Sequence, residues 1–205
     1  MNVTGACLVA AASLFWLSWL LMPGVGVTDA ARIFELVGAS RAPVLASVVL
    51  QLVSAALYVP ALVGAAASLR ASVRRAAGVL LLGAMASAAD AVLHLLAYAM
   101  TAPGLERTSL VPVMQFMQGP GLGLLLPFVA AFFAGGAWLS IALARAGVVS
   151  RANPWLHAAA LAVAIAGGAL VRTFGITLGR SVGLAALALV AGAQAWVGLA
   201  LRRAK

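Results

Sequence analysis

Charged residues are scarce in this sequence. Only 8% of the 205 residues are Asp, Glu, Lys or Arg, whereas soluble domains carry roughly a quarter. Hydrophobic residues make up 65% of the chain, and the mean hydropathy is +1.13. This composition excludes an ordinary soluble domain and indicates an integral membrane protein.

Acids, cysteine and histidine are rarer still: the chain has four acids, one Cys and two His, against 13 basic residues. The single Cys7 excludes an internal disulfide. His94 and His157 are expected at different depths of the membrane, so we predict neither a haem nor another metal centre, and no cofactor. The basic residues lie at the ends of apolar segments rather than in a run with aromatics, so no nucleic-acid partner is expected.

Long apolar segments follow one another along the chain. About 20 apolar residues cross a hydrocarbon core. Thr28 can cap a short helix from Asp29 to Val37, which we expect to lie in the membrane interface, and residues 103–121 are expected to form a loop. The sequence therefore predicts an all-α polytopic membrane protein with one domain, six transmembrane helices and a short interfacial helix after the first. The six predicted spans are about 3–22, 43–69, 76–101, 122–144, 155–171 and 181–201.

The connections differ in charge. On one side, the turn Arg70–Arg75, the loop with Arg145 and Arg151, and the C-terminal tail carry eight basic residues and no acid. The other side has five arginines and three acids. The positive-inside rule therefore predicts that both termini are cytoplasmic.

Polar residues form one stripe on each of the second and third apolar segments. Their spacings of three and four place each stripe on one helix face. If the two segments fold back antiparallel about the turn Arg70–Arg75, Gln51 comes level with His94, and Ser54 comes level with Asp90 or Ala91. The stripes consist of Ser47, Gln51, Ser54 and Tyr58 in the second segment, and of Ser87, Asp90, His94, Tyr98 and Thr101 in the third.

Asp90 is the one acid inside a predicted span. An Asp at the centre of a membrane helix costs about 2.5–3.5 kcal/mol, so Asp90 is expected to face the interior of the bundle, with His94 one turn away. An intramembrane ionisable residue favours a functional site. We therefore predict a ligand-binding or proton-coupling site formed by Asp90, His94, Gln51, Tyr58, Ser54 and Tyr98.

Three functions and one structural alternative are compatible with this stripe. The first is binding of a small amphipathic or lipid-like ligand in a transporter or sensor, where transport would require a homodimer. The second is an accessory subunit that packs on a partner membrane protein through Gly175, Gly179 and Gly183. The third is an intramembrane enzyme with His94 as general base, which is disfavoured because no nucleophile is evident. In the structural alternative, the polar residues only hydrogen bond to one another.

Several further residues are expected at the membrane interface. His157 follows Asn153-Pro154-Trp155 at the start of a predicted span, where an imidazole meets headgroups or water. Met114 and Met117 are expected to dip into the interface from the loop, and Trp16 or Trp19 is a candidate interfacial anchor.

Several stretches resemble a known family. The segments Gly26–Ala31, Leu57-Tyr58 and Arg145–Arg151, together with the order of the apolar segments, resemble a bacterial family of six-helix membrane proteins classed as a domain of unknown function. The resemblance implies six helices in the bacterial inner membrane, surrounded by lipid. It implies no catalytic residues.

Overall fold

The computed structural model describes residues 3–27, 29–68, 70–174 and 176–203, with side chains apart from those of residues 68 and 167–177. Within these ranges the chain is helical and contains no strand. A π-helical turn, Met117–Gly121, joins α5 to α6. The helices are α1 Val3–Leu21, α2 Ala30–Ala39, α3 Arg41–Ser68, α4 Ala71–Met100, α5 Arg107–Phe116, α6 Leu122–Arg145, α7 Asn153–Phe174 and α8 Ile176–Arg203.

The six long helices form a closed ring. Around the ring, α1 packs against α3, α3 against α4, α4 against α6, α6 against α7, α7 against α8, and α8 against α1. Neighbouring helices are antiparallel, so the start of α1 lies beside the end of α8, where Gly5 contacts Gly198. The start of α1, the α3–α4 turn, the α6–α7 loop and the end of α8 thus share one end of the bundle. We call this the basic end.

Five helical segments are long and apolar enough to cross a membrane, within the described ranges. This confirms the all-helical class and is what a membrane-embedded protein requires. The predicted span at 155–171 coincides with α7, whose described apolar stretch, Asn153–Ala166, is shorter than the others. The five segments are Val3–Leu21, Arg41–Ala67, Ala71–Met100, Arg107–Arg145 and Leu178–Arg203.

Two segments predicted as connections are helical. The turn between α3 and α4 is shorter than expected, because α4 already begins at Ala71. The predicted loop at residues 103–121 instead forms α5 and the π-helical turn. Pro120 and Gly121 lie in the π-helical turn, where the regular α-helical hydrogen bonding is already interrupted, so the chain stays helical through them.

Helices α2 and α5 cover the end of the ring opposite the basic end. Asp29 caps α2, since its Oδ1 accepts a hydrogen bond of 2.7 Å from the Arg32 backbone N–H. Thr28, which we expected to be the cap, lies outside the described residues. The prediction for Met114 and Met117 was wrong, because both are buried. Met114 packs into a cluster with the apolar face of α2, namely Ile33, Phe34 and Val37.

Two glycines bring α4 and α6 into backbone contact. A side chain on Gly83 of α4 would overlap the backbone of Phe132 on α6, and one on Gly135 of α6 would overlap the backbone of Leu80 on α4. Small residues allow such close approach between membrane helices. The stripe Gly175, Gly179 and Gly183, predicted to pack on a partner protein, stays a prediction: Gly175 lies outside the described residues, and a methyl group on Gly183 would meet only Val25 among them, at 3.9 Å.

Replacing Gly83 by Ala should therefore force α4 and α6 apart. We expect Gly83→Ala to destabilise the protein by about 1–3 kcal/mol, as overpacking does in well-packed interiors. Gly78→Ala on the same helix is the matched control, because no neighbouring helix or side chain among the described residues lies within 4 Å of the place that its methyl group would take. Thermal unfolding in detergent measures both, and equal stability of the two variants would contradict the close contact.

Candidate functional site

Gln51, Asp90 and His94 form a polar cluster between α3 and α4. The Gln51 Nε2 atom donates a hydrogen bond of 2.8 Å to Asp90 Oδ2. The His94 Nδ1 atom lies 3.3 Å from Gln51 Oε1 and 3.6 Å from Asp90 Oδ2. One α3 side chain thus bridges both ionisable residues of α4. The contact with His94 agrees with the antiparallel register predicted from the stripes, whereas Asp90, which was expected level with Ser54, bonds to Gln51 instead. We call these three residues the outer cluster.

Trp19 of α1 completes this cluster on one side. Its ring meets the His94 ring edge-on, with the centroids 5.7 Å apart and the planes at 84°. The buried Trp19 Nε1 atom has no hydrogen-bond partner among the described residues. The sequence could not distinguish packing of Trp19 against His94 from a position as an interfacial anchor. Which of the two occurs depends on the direction in which that face of α1 points in the ring.

Two cavities meet at Asp90. One, of about 210 Å³, extends toward α2 and also touches His94. The other, of about 280 Å³, extends into the ring and also touches Gln51 and Ser87. The walls of both are mainly apolar and come from α1, α4, α6 and the segment before α2. The residues that line both cavities are Trp19, Val25, Asp90 and Leu122.

The structure does not bring the other three predicted site residues into this cluster. Ser54 donates a hydrogen bond of 2.8 Å to the Ala11 carbonyl on α1. Tyr98 lies under Arg41, whose guanidinium carbon is 4.0 Å from the ring centroid. Tyr58 reaches α8. Ser54 and Tyr58 lie on the same face of α3 as Gln51, and Tyr98 lies on the same face of α4 as Asp90. The polar face of α3 is wide enough to contact α1 and α8 as well as α4.

The outer cluster can bind a polar group in apolar surroundings. A carboxylate has about four acceptor sites, and Gln51 occupies one of those on Asp90. A ligand with a polar end and an apolar body fits this arrangement. Ser54 is not available as a nucleophile at this cluster, because its hydroxyl donates to a backbone carbonyl of α1. No group of three or more His, Cys, Asp or Glu side chains that could hold a metal ion occurs in the described part of the chain.

A second polar cluster lies deeper in the ring. The Tyr58 hydroxyl donates a hydrogen bond to Gln194 Oε1 on α8. Gly136 of α6 leaves room for this contact: a methyl group there would lie 3.0 Å from both Gln194 Nε2 and His157 Cε1. Ser140 is one turn further along α6, and Asn153 is one turn before His157 on α7. We call Tyr58, Ser140, Asn153, His157 and Gln194 the inner cluster.

The inner cluster was not predicted, and the expectation for His157 was wrong. His157 is only 8% exposed, because the first turn of α7 already lies between α6 and α8. The i, i+4 spacing of Asn153 and His157 is the signal that could have indicated a polar face. Four buried atoms of the cluster lack hydrogen-bond partners within the described residues, and such atoms can bind water or another small polar molecule. They are Ser140 Oγ, Asn153 Oδ1, His157 Nε2 and Gln194 Nε2.

An aromatic layer separates the two clusters. The Phe132 ring packs edge-on against Tyr58, with the centroids 5.7 Å apart, and its centroid is 4.8 Å from that of Phe15. Phe15 and Phe132 also line the cavity of about 280 Å³. The outer cluster therefore lies on one side of the Phe132 ring, and the inner cluster lies on the side of Tyr58.

The Tyr58–Gln194 hydrogen bond generates a stability prediction. Tyr58→Phe removes the donor that the buried Gln194 Oε1 atom accepts from, which should cost about 1–3 kcal/mol. Tyr58→Phe combined with Gln194→Leu replaces both polar groups and should recover part of that loss. Thermal unfolding of the single and double variants measures the coupling, and strictly additive losses would contradict it.

Comparison with known proteins provides no relative from which a role could be transferred. No protein family, curated protein or solved structure matches this chain. The function is therefore inferred from the residues and their geometry.

Proposed function

We propose that this protein binds a small amphipathic or lipid-like ligand inside the ring, with the ligand's polar end at the outer cluster. One observation carries the proposal: Asp90 lies in the wall shared by two mainly apolar cavities. Its side chain is 16% exposed and that of His94 is 19% exposed, so both are shielded but reachable. The apolar body of the ligand would occupy the cavity lined by Phe133, Leu126 and Val129.

A purely structural role of the outer cluster accounts for fewer of these observations than ligand binding does. Buried polar contacts in membrane proteins contribute only about 0.6 kcal/mol on average, whereas a carboxylate inside the bilayer is costly. Helix pairing would need Gln51 and one neutral partner. It would need neither an acid nor cavities on both sides of that acid.

Protonation of Asp90 and His94 would be coupled to ligand binding. Gaining or losing a proton at either residue changes which ligand groups the outer cluster can bind. The protein would then act as a proton-coupled transporter or as a sensor. Six helices leave little room for two gates in one chain, so transport by this protein would require a homodimer.

We further propose that all six long helices cross the bacterial inner membrane. Helix α7 has 22 residues, which at 1.5 Å per residue gives about 33 Å, close to the thickness of a hydrocarbon core. Its place in the ring between α6 and α8 supports the same depth. The resemblance to a bacterial six-helix family agrees with this proposal, and the positive-inside rule would place the basic end in the cytoplasm.

Reporter fusions to the full chain test this topology. A fluorescent protein fused after the C-terminus should be fluorescent, because it would fold in the cytoplasm, and alkaline phosphatase at the same place should be inactive. Alkaline phosphatase inserted after Gly104, at the opposite end of the bundle, should be active. The reverse pattern at both positions would contradict the proposed orientation.

Asp90→Asn and His94→Gln test the ligand site. Both substitutions keep a hydrogen-bonding side chain while removing a titratable group. We expect the purified variants to lose a small molecule that native mass spectrometry detects on the parent protein. Their thermal stability in detergent should hold or rise, because each substitution replaces a shielded ionisable side chain with a neutral one. The dependence of ligand binding on pH between 5 and 8 should weaken in His94→Gln, because imidazole is the side chain that ordinarily changes charge in this range.

Glu106→Gln is the matched control, since it removes an acid that is exposed and lines neither cavity. It should keep both the ligand and the pH dependence. Clear destabilisation by Asp90→Asn, with nothing bound to the parent protein, would identify the cluster as structural. A second polypeptide bound to the parent and to both variants would instead support an accessory subunit.

A further inference from the structure

Three arginines converge at the basic end of the bundle. Arg70 lies in the turn between α3 and α4, Arg145 is the last residue of α6, and Arg151 precedes α7. Arg145 and Arg70 line a surface cavity of about 100 Å³. Arg145 and Arg151 line a second one, of about 360 Å³. Arg145 therefore stands between the other two arginines.

No carboxylate side chain is available to neutralise this group. The four acids of the whole sequence are Asp29, Glu35, Asp90 and Glu106. Three of them lie at the opposite end of the bundle, and Asp90 belongs to the outer cluster. The three arginines are exposed, and none forms an ion pair within the described residues. Their like charges repel one another, which favours binding of an anion.

The floor of this arginine group is apolar. Trp138 and Ile141, one turn apart on α6, are 41% and 37% exposed. Both line the smaller cavity with Arg70 and Arg145, and Ile141 also lines the larger one. A soluble anion gains nothing from such a floor. A molecule that joins a negative charge to a hydrocarbon chain gains from both parts.

We propose that Arg70, Arg145 and Arg151 bind the phosphate of an anionic phospholipid, whose acyl chain lies along α6 against Trp138 and Ile141. The planar guanidinium group presents paired N–H donors that match phosphate oxygens. Basic pockets between membrane helices bind acidic lipid headgroups in this way. This site is at the opposite end of the ring from the outer cluster, so it is independent of the function proposed above.

Lipid titration of the full chain tests this site. The protein is delipidated in neutral detergent and titrated with phosphatidylglycerol or phosphatidylethanolamine, and binding is followed by native mass spectrometry and thermal shift. We expect phosphatidylglycerol to bind more tightly and to raise the melting temperature. Arg145→Gln should lower its affinity roughly fivefold or more, as expected for one basic residue near an anionic headgroup.

Arg203→Gln is the matched control: it removes the same charge at the same end of the bundle, outside the two cavities. It should bind phosphatidylglycerol like the parent protein. If Arg145→Gln does not fold, Arg70→Gln combined with Arg151→Gln makes the same test. Unchanged phosphatidylglycerol affinity in the tested variant would overturn the site. Equal stabilisation of the parent by inorganic phosphate would overturn the assignment to a lipid.

Discussion

The constraint on which this structure depends most is the placement of a carboxylate inside a ring of apolar helices. Asp90 cannot face hydrocarbon cheaply, so α4 must turn it toward a polar partner, and Gln51 of α3 supplies one. That contact joins the two helices of the α3–α4 hairpin. The hairpin in turn fixes which face of α3 meets α1, where Ser47 and Ser54 bind backbone carbonyls.

The interior of the ring contains two polar clusters at different depths, and Phe132 lies between them. The outer cluster contains the acid and borders two cavities. The inner cluster contains only neutral or weakly basic groups, and several of its atoms have no hydrogen-bond partner in the described part of the chain. Glycine makes both layers possible. Gly83 lets α4 touch the backbone of Phe132, and Gly136 leaves space for Gln194 and His157.

The two ends of the bundle differ in charge. One end carries arginines without acids, while the other carries Arg32 paired with Glu35 and a cap of two short helices. The outer cluster lies near the capped end, and the arginine group with its apolar floor lies at the basic end. The two proposed sites therefore face different surroundings and would bind different parts of amphipathic molecules.

The sequence by itself determined the helical class, the approximate bounds of the long helices and the pairing of Gln51 with His94, whereas the bond from Gln51 to Asp90 was not predicted. Hydropathy and a period of 3.6 residues are local properties, and a short turn leaves two neighbouring helices few registers. Only the tertiary structure decided that Tyr58 pairs with Gln194 and that His157 is buried. Those contacts join helices distant in sequence, and the order of helices around the ring, set by close glycine contacts, brings them together.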